Sequence, residues 1–419
     1  MNHIEKLLQT LAPKGVGFKT LEEVFEIKNG YTPSKNNPEF WKNGTIPWFR
    51  MEDLRENGRI LKDSIQHITP KALKGKKLFP KNSIIISTTA TIGEHALLIV
   101  DSLANQRFTF LSKKANCDLA LDMKFFFYQC FLLGEWCKNN INVSGFASVD
   151  MTAFKKYKFP IPPLEIQQEI VKILDAFTEL NTELNTELKA RKKQYQYYQN
   201  MLLDFNDINQ NHKDAKEKLA QKPYPKRLKT LLQTLAPKGV EFRKLGEVCD
   251  FQKGKSITKK AVTFGKVPVI SGGRQPAYYH NEANRSGETI AISSSGVYAG
   301  YVSYWDIPVF LADSFSVSPK QKTLMPKYLF HYLTTQQDAI HATKSTGGIP
   351  HVYSKDLQNF LIPIPPLEIQ QEIVKILDQF SLLTTDLLAG IPAEIEARKK
   401  QYEYYREKLL TFKPLTPNK

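Results

Sequence analysis

Few stretches of this 419-residue chain carry residue types at the spacing that chemistry needs, and each is incomplete. Gly254-Lys255-Ser256 has the ending of a phosphate-binding loop, in which backbone N–H groups and a lysine cradle phosphate, but the glycine required five positions earlier is Cys249. Asn37-Pro38-Glu39-Phe40 resembles an amino-methyltransferase tetrapeptide, with Glu39 where a second proline is expected. No glycine-rich loop for S-adenosylmethionine accompanies it, and no Pro-Asp dipeptide offers the usual anchor of a nuclease core. The 8 histidines lack metal-ligand spacing, and Cys117, Cys130, Cys137 and Cys249 form no Cys-x-x-Cys pair. The cysteines read as reduced thiols of a cytoplasmic protein, with no disulfide framework and no zinc site. The sequence therefore predicts no catalytic centre, no metal and no cofactor.

What remains is the chemistry of recognition. Lys and Arg total 58 against 42 Asp and Glu, a formal net charge of +16, which suits a polyanionic partner. With 11% aromatic residues the chain is a folded protein rather than a basic tail. Reading DNA takes Arg, Lys, Asn or Gln at base edges, and Lys, Arg or backbone N–H groups at phosphates. The candidates are Arg50, Lys74, Lys76, Lys77 and Arg107 in the first half, and Arg274, Gln275, Tyr278, Tyr279 and Lys344 in the second. For any single lysine a solvated surface charge is an equally good reading. Arg274-Gln275 is a stronger candidate, because Gly272-Gly273 beside it lets the backbone approach a groove closely. Arg191-Lys192-Lys193 and Arg398-Lys399-Lys400 read first as solvated helix faces or partner contacts, ahead of phosphate contacts.

The elements that must position these residues are announced by a repeat. Residues 162–175 return letter for letter at 365–378, and each copy leads to Ala-Arg-Lys-Lys-Gln-Tyr, at 190–195 and 397–402. Both copies are predicted to be helices opened by two prolines. In the first, Ile166, Ile170, Ile173, Phe177, Leu180, Leu184 and Leu188 recur in steps of four and three; after Arg191 the stripe resumes at Tyr195, Tyr198 and Leu202. The second stripe runs through Ile369, Ile373, Ile376, Phe380, Leu383, Leu387, Ile391 and Ile395 to Arg398, Tyr402, Tyr405 and Leu409. Such stripes mark coiled-coil seams. The span from Ile166 to Leu202 would be about 55 Å. The tyrosine pairs are expected to be core or interface residues rather than stacking platforms for bases. The second copy is longer by four residues (175–191 against 378–398), close to one helical turn. In the first copy Thr178-Glu179-Leu180-Asn181 begins a tetrapeptide array, whereas the second holds Gly390 and Pro392, which predict a kink or short break.

A lead-in segment is duplicated too. Residues 7–16 return at 231–240, and Glu407-Lys408-Leu409-Leu410 echoes Glu5-Lys6-Leu7-Leu8. Each unit of the repeat is thus a lead-in, a variable block and a long helix. The two ends of the chain read as halves of a segment that is unbroken in the middle, which predicts pseudo-two-fold symmetry and neighbouring termini. The predicted organisation is an N-terminal segment completing the distal helical region (1–17), a first recognition domain (18–160), a central helical region (161–225), a repeat of the N-terminal segment (226–241), a second recognition domain (242–362) and a distal helical region (363–419). The variable blocks share little sequence. Their β-rich runs at 83–89 and 289–296, with Gly and Pro turns and helical patches such as 121–132, suggest α+β domains. No apolar run reaches membrane-spanning length and no stretch reads as a signal peptide.

Gly30-Tyr31-Thr32-Pro33, Ile46-Pro47-Trp48, Ala90-Thr91-Ile92-Gly93 and Asn105-Gln106 stand in that order within a duplicated frame whose helices open Pro-Pro-Leu-Glu-x-Gln. Together they resemble the specificity subunit of type I restriction-modification systems, over the whole chain. The resemblance implies two target-recognition domains, each reading one half of a bipartite site in double-stranded DNA. It implies that two long antiparallel coiled-coil helices hold the domains apart. Two methylation subunits would dock on those helices, with restriction subunits recruited to that complex and no catalysis by this chain. It also implies that the Thr-Glu-Leu-Asn array sets the spacer between half-sites. Two other readings stand beside it. A single-chain nuclease or methyltransferase with duplicated recognition domains is opposed by the incomplete motifs. A coiled-coil scaffold without sequence preference would leave unexplained why the helices are nearly identical while the blocks between them diverge.

Overall fold

Ile84, Ile85 and Ile86 are all completely buried, because the strand Ile84–Ser87 is covered on both faces. Ile84 and Ile86 share a core with Phe125, Phe126 and Cys130 of the helix Met123–Asn139, while Ile85 packs with Phe49, Leu61, Ala96 and Phe110 on the other side. Apolar and polar residues therefore do not alternate along it, as in any sheet sandwiched between layers. The computed structural model describes residues 2–75, 77–142, 147–209, 214–320, 322–345, 348–385 and 390–415. It divides into two units, Met1–Glu183 with Glu396–Lys419, and Leu184–Ile395.

In the first unit Ile84–Ser87 is the middle strand of a five-stranded sheet, ordered Phe25–Asn29, Phe108–Lys113, Ile84–Ser87, His95–Leu98 and Ile60–Leu61. A three-stranded sheet follows the order His67–Ile68, Ile46–Phe49, Leu103–Ala104. The block closes on itself where Gly17–Thr20 pairs antiparallel with Lys158–Ile161, Gly17 opposite Ile161. The second unit repeats this construction with different residues. Its four-stranded sheet runs Cys249–Lys253, Ser314–Pro319, Thr289–Ser293, Val302–Trp305, and its three-stranded sheet Tyr278–His280, Val267–Ile270, Phe310–Leu311. The helix Pro326–Thr335 stands where Met123–Asn139 stands in the first, and Glu241–Lys244 closes on Leu361–Ile364. Among the described residues the orders agree strand for strand, apart from the additional Ile60–Leu61 and the short pair Ile141–Asn142 with Ser148–Val149 in the first unit.

The helix Leu164–Leu203 has 40 residues, about 60 Å, and contributes to both units. Its two prolines stand just before the first turn rather than within it: the Pro163 carbonyl accepts the N–H groups of Ile166 at 3.0 Å and Gln167 at 3.2 Å. Within the first unit this helix runs antiparallel to Ile391–Leu410. Ile166 and Ile170, fully buried, share a core with Leu409 and Leu410, and further along the Phe177 ring lies 5.7 Å from Tyr405 and 6.2 Å from Tyr402. Within the second it runs antiparallel to Leu367–Thr385. Leu202 joins the core of Ile369 and Ile373, and Tyr198 stacks on Phe380 at 5.0 Å. Leu184 is buried, and Tyr195 is half-buried with its hydroxyl 3.4 Å from His331 Nδ1. Burial, then the charge of Asp378, pushes the Tyr195 phenol up to about 12, as suits a seam residue. In the tetrapeptide array Thr178 and Thr182 donate their hydroxyls to Leu174 O (2.9 Å) and Thr178 O (2.8 Å), so these helix-averse side chains are satisfied within their own helix.

The distal copy departs from its predicted stripe. Leu383 is 38% exposed and Thr384, at 1%, is buried instead, its hydroxyl bonded to Phe380 O at 2.7 Å. The helix is described as far as Thr385, and another begins at Ile391 directly after Gly390, whose carbonyl accepts the N–H groups of Ala393 and Glu394, so the chain is interrupted at Gly390, as Gly390 and Pro392 predict. Residues 386–389, Leu387 among them, lie outside the described residues. The ends of the chain meet in the first unit, where Val16 N–H donates to Lys413 O and Leu415 N–H to Val16 O, both at 3.0 Å. The second unit has the same joint, Val240 N–H to Ile208 O at 2.8 Å.

The repeated sequence holds each variable block through one amide and one carboxylate. Gln167, fully buried, accepts the Asp122 N–H at 2.8 Å and donates to Ala120 O at 2.9 Å and Pro162 O at 2.7 Å. Gln370 makes the same three bonds to Met325 N–H (2.9 Å), Thr323 O (2.8 Å) and Pro365 O (2.7 Å). Two turns on, Asp175 accepts from Lys124 and Tyr128, both at 2.6 Å, and Asp378 from Lys327 at 2.7 Å while lying 3.0 Å from His331 Nε2. Replacing Gln370 by Leu strands a buried N–H and two carbonyls. It should lower the stability of the second unit by about 2–4 kcal/mol, read as a shift in the urea midpoint; a loss below about 0.5 kcal/mol would show the amide to be idle. Burial alone would raise the Asp378 carboxyl, but the hydrogen bonds from His331 and Lys327 outweigh it and hold it below its usual value. Folding thus favours the charged carboxylate. Its contribution is complete above the unfolded value of about 4 and fades as pH falls through the lower folded one. Asp378→Asn should therefore destabilise at neutral pH and flatten the acid limb of the pH–stability curve; an unchanged acid limb would refute the assignment.

Candidate nucleic-acid interface

In each unit the loops at one end of the main sheet are tied together by backbone hydrogen bonds. In the first, Gly30 N–H donates to Phe108 O (2.8 Å), Tyr31 N–H to Ala104 O (2.7 Å), Asn105 N–H to Phe49 O (3.0 Å), Thr88 N–H to Arg107 O (3.1 Å) and Val149 N–H to Thr88 O (2.9 Å). Gly30 is required there, since a Cβ would come within 2.2 Å of Asn105 O and 2.4 Å of Ala104 O. This knot places Arg50, next to Phe49, beside the 105–107 loop. Arg107 is exposed, and its N–H is fixed by Asn105 Oδ1 at 3.0 Å. The Thr32 hydroxyl is hydrogen-bonded to Gln106 Oε1 across the loop. The Arg50 guanidinium lies 5.8 Å from the Trp48 ring centre, its Nε buried with no hydrogen-bond partner among the described residues, in a cleft of about 580 Å³ lined also by Lys35, Trp41, Lys42 and Gln66. Lys74 takes a left-handed backbone (φ 48°) and sets its ammonium 5.4 Å from the Phe40 ring centre, and Phe40 shares a small core with Trp48. Lys77 is exposed, and Lys76 lies outside the described residues. Arg50 Nε lies 3.9 Å from the Glu52 carboxylate, and Lys71 is paired with Glu39 at 3.3 Å.

The second unit ties the corresponding loops by corresponding bonds. Gly254 N–H donates to Ser314 O (2.8 Å), Lys255 N–H to Leu311 O (2.9 Å), Ser294 N–H to Asp313 O (3.0 Å) and Val352 N–H to Ser294 O (2.9 Å). Arg274, in the turn after Val267–Ile270, stacks over Tyr298 at 5.0 Å and Tyr301 at 5.6 Å. Gly272 allows that turn to descend, since a Cβ there would meet Ser295 O at 2.7 Å, and the Ser295 hydroxyl donates to Asp313 Oδ2. Gln275 is exposed at the tip. Tyr278 and Tyr279 are exposed on the edge strand Tyr278–His280, opposite Val269 and Pro268, and so stand along the sheet rather than at the knot. Lys344 precedes Ser345, whose N–H donates to His351 O at 3.0 Å, and His351 bridges to Ser295. Lys344 thus joins the Arg274 group. Val297 and Ile349 are exposed at the same rim. The sequence did not single out Tyr298, Tyr301, Thr32 or Gln106 as contact residues; their only signal was the glycine and motif context around them. Arg285 is spent on structure, donating to Asn284 O, Gln252 O, Lys253 O and Ser316 Oγ.

The near-motifs for catalysis dissolve. Gly254 faces three carbonyl oxygens, those of Leu311, Ala312 and Ser314, where a phosphate loop needs N–H donors. Phe40 of the methyltransferase-like tetrapeptide is buried in the core with Trp48 rather than offered to a target base. Burial pushes the Cys137 and Cys249 thiols up to about 12 and leaves them unreactive. Burial, and then the charge of Arg59, lowers His95 to about 3, so it stays neutral inside the first domain. Among the described residues no group of three or more His, Cys, Asp or Glu side chains could hold a metal, and no helix is long and apolar enough to cross a membrane.

Comparison with known proteins agrees with this architecture. The family model of the type I restriction modification DNA specificity domain matches twice, at residues 13–194 and 237–397. The chain is 39% identical over 402 residues to the type I restriction enzyme EcoprrI specificity subunit of Escherichia coli, covering 92% of each. It is 33% identical over 294 residues to the EcoR124I/EcoR124II specificity subunit of the same species, covering 63% of this chain and 65% of that one. In fold it is similar to the crystal structure of the S subunit of a type I restriction-modification system from M. genitalium, with a TM-score of 0.56 at 19% identity over 96% of this chain and 97% of that one. This chain, with its two loop knots on a duplicated helical frame, belongs to the family of type I restriction-modification specificity subunits.

Proposed function

We propose that this DNA-specificity subunit, itself non-catalytic and cofactor-free, reads a bipartite site in duplex DNA, one half by residues 18–160 and the other by 242–362. The observation that carries this reading is the loop knot built twice by equivalent bonds on unlike sequences, within one repeated frame. A common frame with two different reading edges is what two different half-sites require. Arg50 and Arg107 are the base readers of the first domain, with Lys74, Lys76 and Lys77 at phosphates. Arg274 and Gln275 read the second half-site, Lys344 meets phosphate, and Tyr278 and Tyr279 pack on the sugar-phosphate edge. The long helices are the dock for two methylation subunits, with restriction subunits joining that complex in the cytoplasm.

Expression with its modification subunit in a methylation-free host, followed by mapping of methylated adenines, tests the whole reading. A two-part motif with a fixed gap is the expected result, and a continuous motif would overturn it. In the assembled complex, Arg274→Ala should weaken cognate binding by about 1–3 kcal/mol and relax one position of the second half-site alone. Loss spread evenly over all sequences would assign it to phosphate instead. Lys77→Ala should weaken all DNA alike and lower the salt slope by about 0.9. Deleting residues 182–185 shortens the one helix that both units share by about 6 Å. Both half-sites should survive with an altered gap, and a changed half-site sequence would sink the spacer role.

A further inference from the structure

The two copies of the repeat differ at one joint. In the second unit the chain that links the central helix to the lead-in helix Lys226–Leu235 folds back over their junction. Its helix Ala215–Gln221 and the turn after it insert Leu219 and Tyr224, 3% and 6% exposed, into the core of Phe205, Leu228, Leu232 and Ala236. The Tyr224 hydroxyl donates to Asp204 O at 2.9 Å, and Lys222 pairs with Asp204 at 3.1 Å and Asp207 at 3.2 Å.

The repeat places Leu8, Ala12 and Phe412 of the first unit where Leu232, Ala236 and Phe205 stand in the second. No described segment covers them. All three are half-exposed, whereas their counterparts are buried. The result is a groove of about 1140 Å³ between the helix Asn2–Leu11 and the end of the distal helix, lined by Leu8, Ala12, Val16, Tyr404, Phe412 and Pro414. Its charges also differ from those of the filled copy. Asp204 and Asp207, which hold Lys222, correspond to Thr411 and Pro414, and Lys413 lies between these.

We propose that this groove is a docking site for a short amphipathic helix of a protein partner. The partner presents an aliphatic and an aromatic anchor five positions apart, with an acidic residue where the covalent segment has Lys222. The filled copy supplies the template for shape and anchors, and Lys413 supplies the reversed charge. In that template Leu219 lies in the last turn of the helix and Tyr224 in the turn beyond it, so the partner's aromatic anchor follows its helix rather than lying on it. Because the equivalent groove of the second unit is occupied by the chain itself, one such partner binds per molecule, which makes an internally repeated protein asymmetric at this point.

The test uses the full chain and two fluorescein-labelled peptides, one with the sequence of residues 214–225 and one carrying Lys222→Glu. Fluorescence anisotropy should show one peptide bound per chain, the Glu peptide about threefold to fivefold tighter at low salt. Ala12→Arg should abolish binding of both. Lys413→Glu, at an exposed position that leaves packing intact, should reverse the preference between them. No saturation by either peptide up to about 1 mM would overturn the proposal. So would a preference for the unmodified peptide, which would favour a second copy of this chain as the occupant. Binding that ignores both protein variants would place the peptide elsewhere and would likewise overturn it.

Discussion

The fold depends on a buried primary amide used twice. A glutamine side chain has one acceptor and two donors, and at Gln167 and Gln370 both kinds of group are spent on main-chain atoms of the variable block and of the turn before the helix. A buried amide left unpaired would cost more than the bonds add, so the geometry around it has little freedom. That rigidity explains why the surrounding residues can be identical in two halves whose other residues are not. The lock reads only backbone from the block, and backbone is the same whatever side chains it carries.

The carboxylates at Asp175 and Asp378 add a second tether that does depend on side chains. One accepts from Lys124 and Tyr128, the other from Lys327 and sits beside His331. The two blocks thus meet the frame through one invariant contact and one adaptable contact, on the same face of the helix two turns apart. Block helices of quite different composition, Met123–Asn139 and Pro326–Thr335, can be seated by that pair.

The frame was legible in the sequence because packing along a helix repeats every three or four residues and leaves a periodic trace. Ile166, Ile170, Phe177, Leu184, Ile369, Ile373 and Phe380 fall on the inner face as their spacing requires. Leu383 did not, because Thr384 beside it, able to bond its own backbone, took the inward place. The shared topology of the blocks was not legible. It rests on hydrogen bonds between main chains far apart in sequence, which constrain side chains only at close approaches such as Gly30 and Gly254. The same reason hides part of the candidate interface. Arg274 could be picked out by the glycines beside it, but its aromatic bed at Tyr298 and Tyr301 comes from another strand connection and has no local signature. Thr32 and Gln106 meet only because three strand ends converge.

The short antiparallel pairs that close each block, Gly17–Thr20 with Lys158–Ile161 and Glu241–Lys244 with Leu361–Ile364, have a genetic consequence. They bring the first and last residues of a block within a strand spacing of about 5 Å, joined by main-chain bonds alone. Beyond them on either side lie lead-in and helix sequences that recur within the gene. An exchange between related chains, or between the two halves of one, therefore meets matched amino-acid sequence at both borders of a block. A crossover at each border delivers a foreign block whose ends already fit the strand pair and whose backbone already fits the glutamine. The fold is thus suited to acquiring new specificities by whole-block exchange, with each half inherited separately.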